Sequence, residues 1–455
     1  MATYLVCSSP IHGHAVPMLE AARHLVARGH RVVVLTGSRF AGRVRAIGAE
    51  FRPLGGIADF DDRDVPSYLP DRDRYRGLAQ AQYDIQSIFV KTIPDQAKAV
   101  QRIIDDEHPD AVLVDGAFGG VAPLLLRSGP RPPVVALGVT PLTQRSRDVA
   151  PAGTGMPPSS SVIGRARNRV LDVVARRVLF RRTQKVAEAI FADLGIAPLD
   201  LFVMDISSAF DRFLQLSAAA FEYPRSDIAP NTVFVGAMPP AGGKAEKRAM
   251  GATGATGTTD AADATDAGAP PLPEWWADLD GSRPIVHVTQ GTIDNRDLDR
   301  LIRPTLDALD GLDVLVVVSL GGRPASELEG VPSNARVASY LPYDELLART
   351  AVYVTNGGYG GVQHALSEGV PIVVAGDTED KPEVAARVAW SGAGVNLRTG
   401  TPTPDAVRQA VLQVLDDPAY RAAAERLASA AARYDTLALI EAELESLVAA
   451  SPRQR

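Results

Sequence analysis

Two series of apolar strand patterns alternating with helical ones, parted by a stretch with almost nothing to bury, limit what this chain can fold into. In the first series Tyr4 to Ser8, Val32 to Thr36, Ala111 to Val114 and Val134 to Leu137 read as buried strands, with helices over Pro17 to Arg28 and Ala41 to Ile47. In the second, Ile285 to Val288, Val314 to Val318, Val337 to Ala338, Val352 to Thr355 and Ile372 to Ala375 repeat the rhythm around a helix near Leu298 to Leu309. Such alternation calls for a parallel sheet with helices on both faces, once in each half. Between Pro239 and Pro273 the composition falls to Ala, Gly, Thr, Asp and Pro, too few large apolar groups to offset the entropy of ordering. The expectation is an α/β protein of two Rossmann-like halves facing across a cleft. Residues 1–239 form the first, 240–272 a flexible low-complexity linker, and 273–455 the second, helical from Pro418 to Ala450 with a break near Tyr434.

Composition narrows the function classes. A chain of 455 residues holds two large cores. Its formal net charge of −7 offers nucleic acid no general attraction, and no apolar run approaches the roughly 20 residues that cross a bilayer. Thr3 to Ser8 is too short, and lacks the basic flank, of a signal peptide. The single cysteine, Cys7, excludes an internal disulfide and a cysteine-based metal site, and residence in the cytoplasm is the default expectation. Two segments break the rhythm, the charged Asp59 to Asp73 and the Pro-, Gly- and Ser-rich Arg145 to Ser161, and both read as functional lids. Arg165 to Lys185 is basic, with Val170, Leu171, Val173, Val174, Val178 and Leu179 at helical spacing. It reads as a helix with its apolar face on the core and its basic face in water, the alternative being a helix lying on an anionic membrane.

Val354 to Leu397 carries the most chemistry. The strand Val352 to Thr355 runs into Asn356-Gly357-Gly358-Tyr359-Gly360-Gly361, where backbone can approach a ligand closely. A helix from Val362 to Glu368 then offers its free N–H groups and dipole to an anion, before Gly369-Val370-Pro371 ends it and the next strand begins. This stretch resembles the donor-binding signature of the family-1, nucleotide-sugar-dependent glycosyltransferases of GT-B fold, in particular the bacterial natural-product group that modifies macrolide- and rifamycin-type antibiotics. The frame of that signature is kept without gaps in Asn356, Gly358, His364, Gly369-Val370-Pro371 and Asp380-Lys381, and upstream in Tyr340-Leu341-Pro342-Tyr343.

The resemblance implies a catalytic pair in the first half. Gly13-His14-Ala15-Val16-Pro17 follows the first strand and matches the family's Gly-His-x-x-Pro, whose histidine is the general base on the acceptor hydroxyl; that role falls on His14. Imidazole suits it, being neutral near working pH and still able to take a proton. His12 matches no family position and is the second candidate. Asp115 ends the run Ala111 to Val114 at the strand's carboxyl edge and takes the place of the family's histidine-orienting aspartate. Asp110, its rival, precedes the strand and so lies at the opposite edge.

For the donor, the resemblance points to Gly291, Thr292, Tyr340, Tyr343, Asn356, Gly358, Tyr359, Gly360, Gly361, His364, Asp380 and Lys381, with Arg323 a further cation or a surface arginine. Four letters depart from the family. Asn356 stands for a phosphate-touching histidine, Tyr340 for a base-stacking tryptophan, His364 for a ribose-binding carboxylate, and Lys381 for a sugar-contacting glutamine. The family's terminal helix commonly crosses back onto the first domain, and Pro418 to Ala450 is long enough to do so. The implied activity is inverting transfer of a hexose from a UDP or TDP sugar, glucose type favoured, to a hydroxyl of an apolar small molecule such as a polyketide, macrolide, ansamycin or phenolic antibiotic. No metal or other cofactor is expected, nor nucleic acid, nor stable membrane insertion, and the protein would be a monomer or homodimer. Nucleotide-sugar epimerisation on the same fold and a non-catalytic partner role are the alternatives.

Overall fold

The computed structural model describes residues 1–196, 201–239, 272–291 and 295–451. The chain divides into two compact units, Met1–Met238 with Tyr434–Arg455, and Pro239–Arg433. Apart from residue 272, the linker expected over 240–272 lies outside the described residues.

The first unit is built on seven parallel strands, β1 (Thr3–Cys7), β2 (Arg31–Thr36), β3 (Glu50–Pro53), β4 (Ala111–Asp115), β5 (Val134–Gly138), β6 (Arg212–Gln215) and β7 (Thr232–Phe234), in the order β3-β2-β1-β4-β5-β6-β7. Successive side chains of a strand point to opposite faces, so both faces of β1 are apolar for different neighbours. Tyr4 and Val6 pack with Ala15, Met18 and Leu25 of the helix His12–Ala27 and with Ile440 and Leu444 of the helix Thr436–Ala450. Leu5 and Cys7 face Ala99, Val100 and Ile103 of the helix Ile93–Glu107. Three strands of this unit escaped the sequence reading. β3 carries Glu50, Arg52 and Pro53 at one edge of the sheet, β7 is three half-buried residues at the other, and β6 is a four-residue run beside it.

The second unit repeats the plan with β8 (Ile285–Thr289), β9 (Leu315–Ser319), β10 (Ala335–Ala338), β11 (Val352–Thr355), β12 (Ile372–Val374) and β13 (Gly394–Asn396), all parallel, in the order β10-β9-β8-β11-β12-β13. Val286 and Val288 pack under the helices Ile302–Leu309 and Pro404–Asp416. Each sheet reverses its order once, between β1 and β4 and between β8 and β11. Open parallel sheets bind ligands at the carboxyl ends of the strands flanking such a reversal.

Three expectations need correction. The first helix begins at His12, not Pro17; proline favours the first helical turn, but here Pro17 lies inside the helix. The helix after β11 begins at Tyr359, not Val362, so Tyr359, Gly360 and Gly361 form its first turn. The basic segment does not present its apolar residues to the core. Val170, Val173, Val174, Val178 and Leu179 are exposed, while Gly164, Asn168 and Ala175 are the buried contacts. Periodicity locates a stripe; small residues and an amide that donates to the Arg147 carbonyl bring the other side of this helix against the protein. No helix among the described residues is long and apolar enough to cross a membrane.

Candidate active site

In the first unit the reversal brings the ends of β1 and β4 together. His14 lies in the first turn of the helix that follows β1, and Asp115 is the last residue of β4. Their side chains meet with Nδ1 of His14 3.0 Å from Oδ1 of Asp115. Asp115 is fully buried, and its carboxylate also accepts the backbone N–H of Ser9 at 2.7 Å and of Ala117 at 2.9 Å. A buried carboxylate is costly unless its oxygens are met by donors, and these three meet it. Facing a carboxylate, Nδ1 carries the proton and Nε2 is the basic nitrogen. The His14 ring lies 5.6 Å from that of Phe89. Burial and the charge of Asp115 push the Cys7 thiol well above its usual range, so it stays protonated.

His12 is placed differently. Burial, then the charges of Arg43 and Arg39, push its pKa down to about 4, which makes it a weak proton acceptor. Its backbone N–H donates to Asp62, and Asp59 accepts the N–H and hydroxyl of Ser38. These bonds pin the start of the Asp59 to Asp73 loop at the carboxyl edge of the sheet. Asp110 lies at the opposite edge, accepting the N–H of Thr3. The other long segment is also fastened: Asp148 accepts from Ser226, Arg165 pairs with it, and the hydrogen bond from the Ser226 hydroxyl leads the causes that hold its pKa down near 2.

In the second unit the corresponding reversal joins the turns after β8 and β11, and the two turns are alike. In each, a threonine hydroxyl accepts the N–H of a glycine two residues on, Thr289 from Gly291 and Thr355 from Gly357, both at 3.2 Å. Gly357 has φ of +91°, a conformation that side chains resist. Asn356 ties the turns together, its amide donating to the Gln290 carbonyl at 2.6 Å. A Cβ on Gly376 would sit 2.0 Å from the Asn356 carbonyl oxygen, so only glycine lets the end of β12 come this close. Gly358 and Gly360, in contrast, have nothing within 4 Å of where a Cβ would be, which leaves open space beside the first N–H groups of the helix. A recess here is lined by Gln290, Arg300, Asn356, Ala375, Gly376 and Gly400.

The remaining expected donor residues fall around these turns. Tyr340 is half-buried with its phenol against Gly322. Tyr343 turns its hydroxyl inward to Thr289, Ser319 and Tyr353, and burial raises its pKa. His364 Nε2 faces the Asp344 carboxylate at 2.9 Å. Asp380 precedes the helix Lys381–Ser391. Lys381 is buried, its Nζ bonded to Thr378 at 3.0 Å and to Glu379 at 2.5 Å, and Glu379 holds φ of +56°. Tyr359 is buried. Thr292 lies outside the described residues. Arg323 braces a loop, donating to the carbonyls of Asn295 and Arg296 and pairing with Glu327. Sequence reasoning missed Gln290 and Arg300. Gln290 caps the helix region at Leu301 and Ile302, and Arg300 reaches Asp377 and the Gly400 carbonyl.

Among the described residues, His30, Glu441 and Glu445 are close enough to share a metal. They sit at the amino edge of the first sheet, where Nδ1 of His30 already accepts the N–H of Ala2.

Residues 303–447 match the erythromycin biosynthesis protein CIII-like C-terminal domain family. The chain is 36% identical to 4'-demethylrebeccamycin synthase of Lentzea aerocolonigenes over 98% of its own length and 100% of that protein's. It is 32% identical to UDP-glucosyltransferase A1 of Starmerella bombicola, covering 97% of this chain and 92% of the other. The solved glycosyltransferase of kitacinnamycin superposes with a TM-score of 0.71 at 22% identity, covering 98% of this chain and 99% of the other, and so shares its fold. Full-length likeness at this identity, on two parallel sheets that place a histidine–aspartate pair at one reversal and a glycine turn with a helix start at the other, makes the chain a member of the nucleotide-sugar-dependent, GT-B natural-product glycosyltransferases.

Proposed function

We propose that the protein is an inverting O-glycosyltransferase that moves a hexose, glucose type favoured, from a UDP or TDP sugar to a hydroxyl of an apolar small molecule such as a polyketide, macrolide, ansamycin or phenol. The observation that carries this reading is the buried His14–Asp115 pair. Nε2 of His14 takes the acceptor's hydroxyl proton, the oxygen attacks the anomeric carbon from the face opposite the diphosphate, and the carbon–oxygen bond to the diphosphate breaks with its electron pair. Asp115 holds the tautomer and offsets the imidazolium charge that develops.

The leaving diphosphate is met by backbone N–H groups at the start of the helix Tyr359–Ser367 and in the turn at Gly291, supported by the open space at Gly358 and Gly360. In this reading Tyr340 stacks on the base, Tyr343 and His364 belong to the nucleoside end of the donor site, and Asp380 and Lys381 to its sugar end. No bound metal has a step in this scheme. Relatives named as UDP-glucosyltransferases favour UDP-glucose as the first donor to try.

The test is incubation with several UDP and TDP sugars and a panel of hydroxylated natural products, followed by mass spectrometry and assignment of the product's anomeric configuration. A glycoside of inverted configuration is expected. Retained configuration, or turnover of the nucleotide sugar with no acceptor product, would overturn it.

A further inference from the structure

The helix Val162–Val174 runs on through a wider turn, Ala175–Leu179, and its large apolar side chains point into water. Val162 is 86% exposed, Ile163 84%, Val170 63% and Val178 66%, with Val173 and Val174 also exposed. Val162, Val170 and Val173 lie on one face, and Ile163 and Val174 widen that face. The buried residues of this stretch are Gly164, Asn168 and Ala175, so its small side, flanked by the ion pairs of Arg165, Asp172 and Arg176, is the one built for contact.

Charge distinguishes the occupants. Arg169, Arg177, Arg181, Arg182 and Lys185 are exposed and have no acidic partner among the described residues. The neighbouring Arg165 and Arg176, by contrast, are paired with Asp148 and with Asp172 and Asp205. A cluster of unpaired cations on a chain of net charge −7 is a local reversal of sign. A second copy docking on the same face would set Arg169 and Arg177, which lie among the exposed valines, near their own counterparts, which is repulsive. A bilayer containing anionic lipid matches both features, with branched side chains at the acyl boundary and guanidinium groups among the headgroups.

We propose that Val162 to Lys185 docks the first unit reversibly on an anionic lipid surface, lying in the interface without spanning it. This does not rest on the proposed reaction.

The full-length protein is sedimented with vesicles of phosphatidylcholine alone and of phosphatidylcholine with phosphatidylglycerol. Binding to the anionic vesicles is expected, weakened by added salt, with little binding to the neutral ones. The Val170→Ser/Val173→Ser variant should bind roughly tenfold more weakly. The Arg177→Gln/Arg181→Gln variant should lose roughly fivefold for each cation removed. All four sites are exposed, so thermal melting should not change, and a variant that melts early is replaced by Val162→Ser/Ile163→Ser. Absence of binding, equal binding to both vesicles, or binding unmoved by the substitutions would overturn the proposal. So would a dimer in light scattering that the valine substitutions split, which would assign the face to a second copy.

Discussion

Asp115 has one carboxylate and three donors, and the geometry leaves little tolerance for any other side chain. Asn in its place offers one oxygen and one NH₂, so at least one of Ser9, Ala117 and His14 then faces a donor instead of an acceptor. Asp115→Asn is expected to lower the transfer rate by roughly 10² to 10⁴, the scale seen when an orienting carboxylate is lost; steady-state kinetics check it, and an unchanged rate would move the role elsewhere. His14→Ala should abolish transfer while leaving calorimetric affinity for nucleoside diphosphate within a few-fold, because the base acts on the acceptor. His12→Gln should leave the rate within a few-fold, since a histidine held near 4 contributes little as a base at neutral pH. The two positions were legible through the family resemblance, with His14 in the first turn after β1 and Asp115 at the end of β4. Ser9 and Ala117 were not, because they act through backbone N–H groups that every residue except proline has. Arg300 and Gln290 went unread for another reason: tertiary folding brings them to the recess, with no local motif to mark them.

At the scale of elements, the strands in the middle of each sheet were legible in the sequence, whereas three of the four edge strands, β3, β7 and β13, and β6 beside an edge were not. β1, β4, β8 and β11 are buried on both faces and read as continuous apolar runs, whereas β3, β7 and β13 are short, half-buried or broken by proline and glycine. The exposed stripe on the Val162–Val174 helix shows the converse limit, since a period of 3.6 residues cannot say which side of a helix is covered. Asn356 provides a test at this scale, because its amide joins two turns that are 66 residues apart in the chain. Asn356→Ala should destabilise the second unit by about 1 to 2 kcal/mol, leaving the Gln290 carbonyl without that donor. It should also weaken nucleoside diphosphate binding, as the turns lose their mutual register. Denaturant unfolding and calorimetry read the two effects separately, and a stable variant with full affinity would show that the cross-link is dispensable.

At the scale of the whole molecule, the helix Thr436–Ala450 belongs to the first unit although it ends the chain. Ile440 and Leu444 are buried in the core of the first unit, and Glu441 accepts from Arg28 and faces His24 and His30. Burial would raise the Glu441 pKa, but hydrogen bonds from Arg28, then His24 and His30, outweigh it and hold the value below the usual carboxylate range. A carboxylate depressed on folding stabilises above its unfolded pKa of about 4.3 and loses that contribution as pH falls through the folded value. Glu441→Gln should therefore lower the melting temperature at neutral pH and flatten its decline below about pH 4, in a thermal scan of each protein. Ending the chain at Arg433 removes two buried aliphatic side chains, about 3 to 6 kcal/mol of burial, from a fold whose total stability is on the order of 5 to 15 kcal/mol. The shortened protein is expected to aggregate or to lose the cooperative melting of its first unit, while residues 272–433 keep theirs.

That same helix sets an order of events during synthesis. A ribosome adds roughly 5 to 20 residues each second, so the segment from Pro239 to Arg433 emerges in full before the strand-and-helix framework ahead of it receives its last piece. The half of the protein that is translated first is thus the half that finishes folding last. Throughout that interval the apolar groove awaiting Ile440 and Leu444 stays uncovered on the nascent chain, and there a chaperone has most to protect.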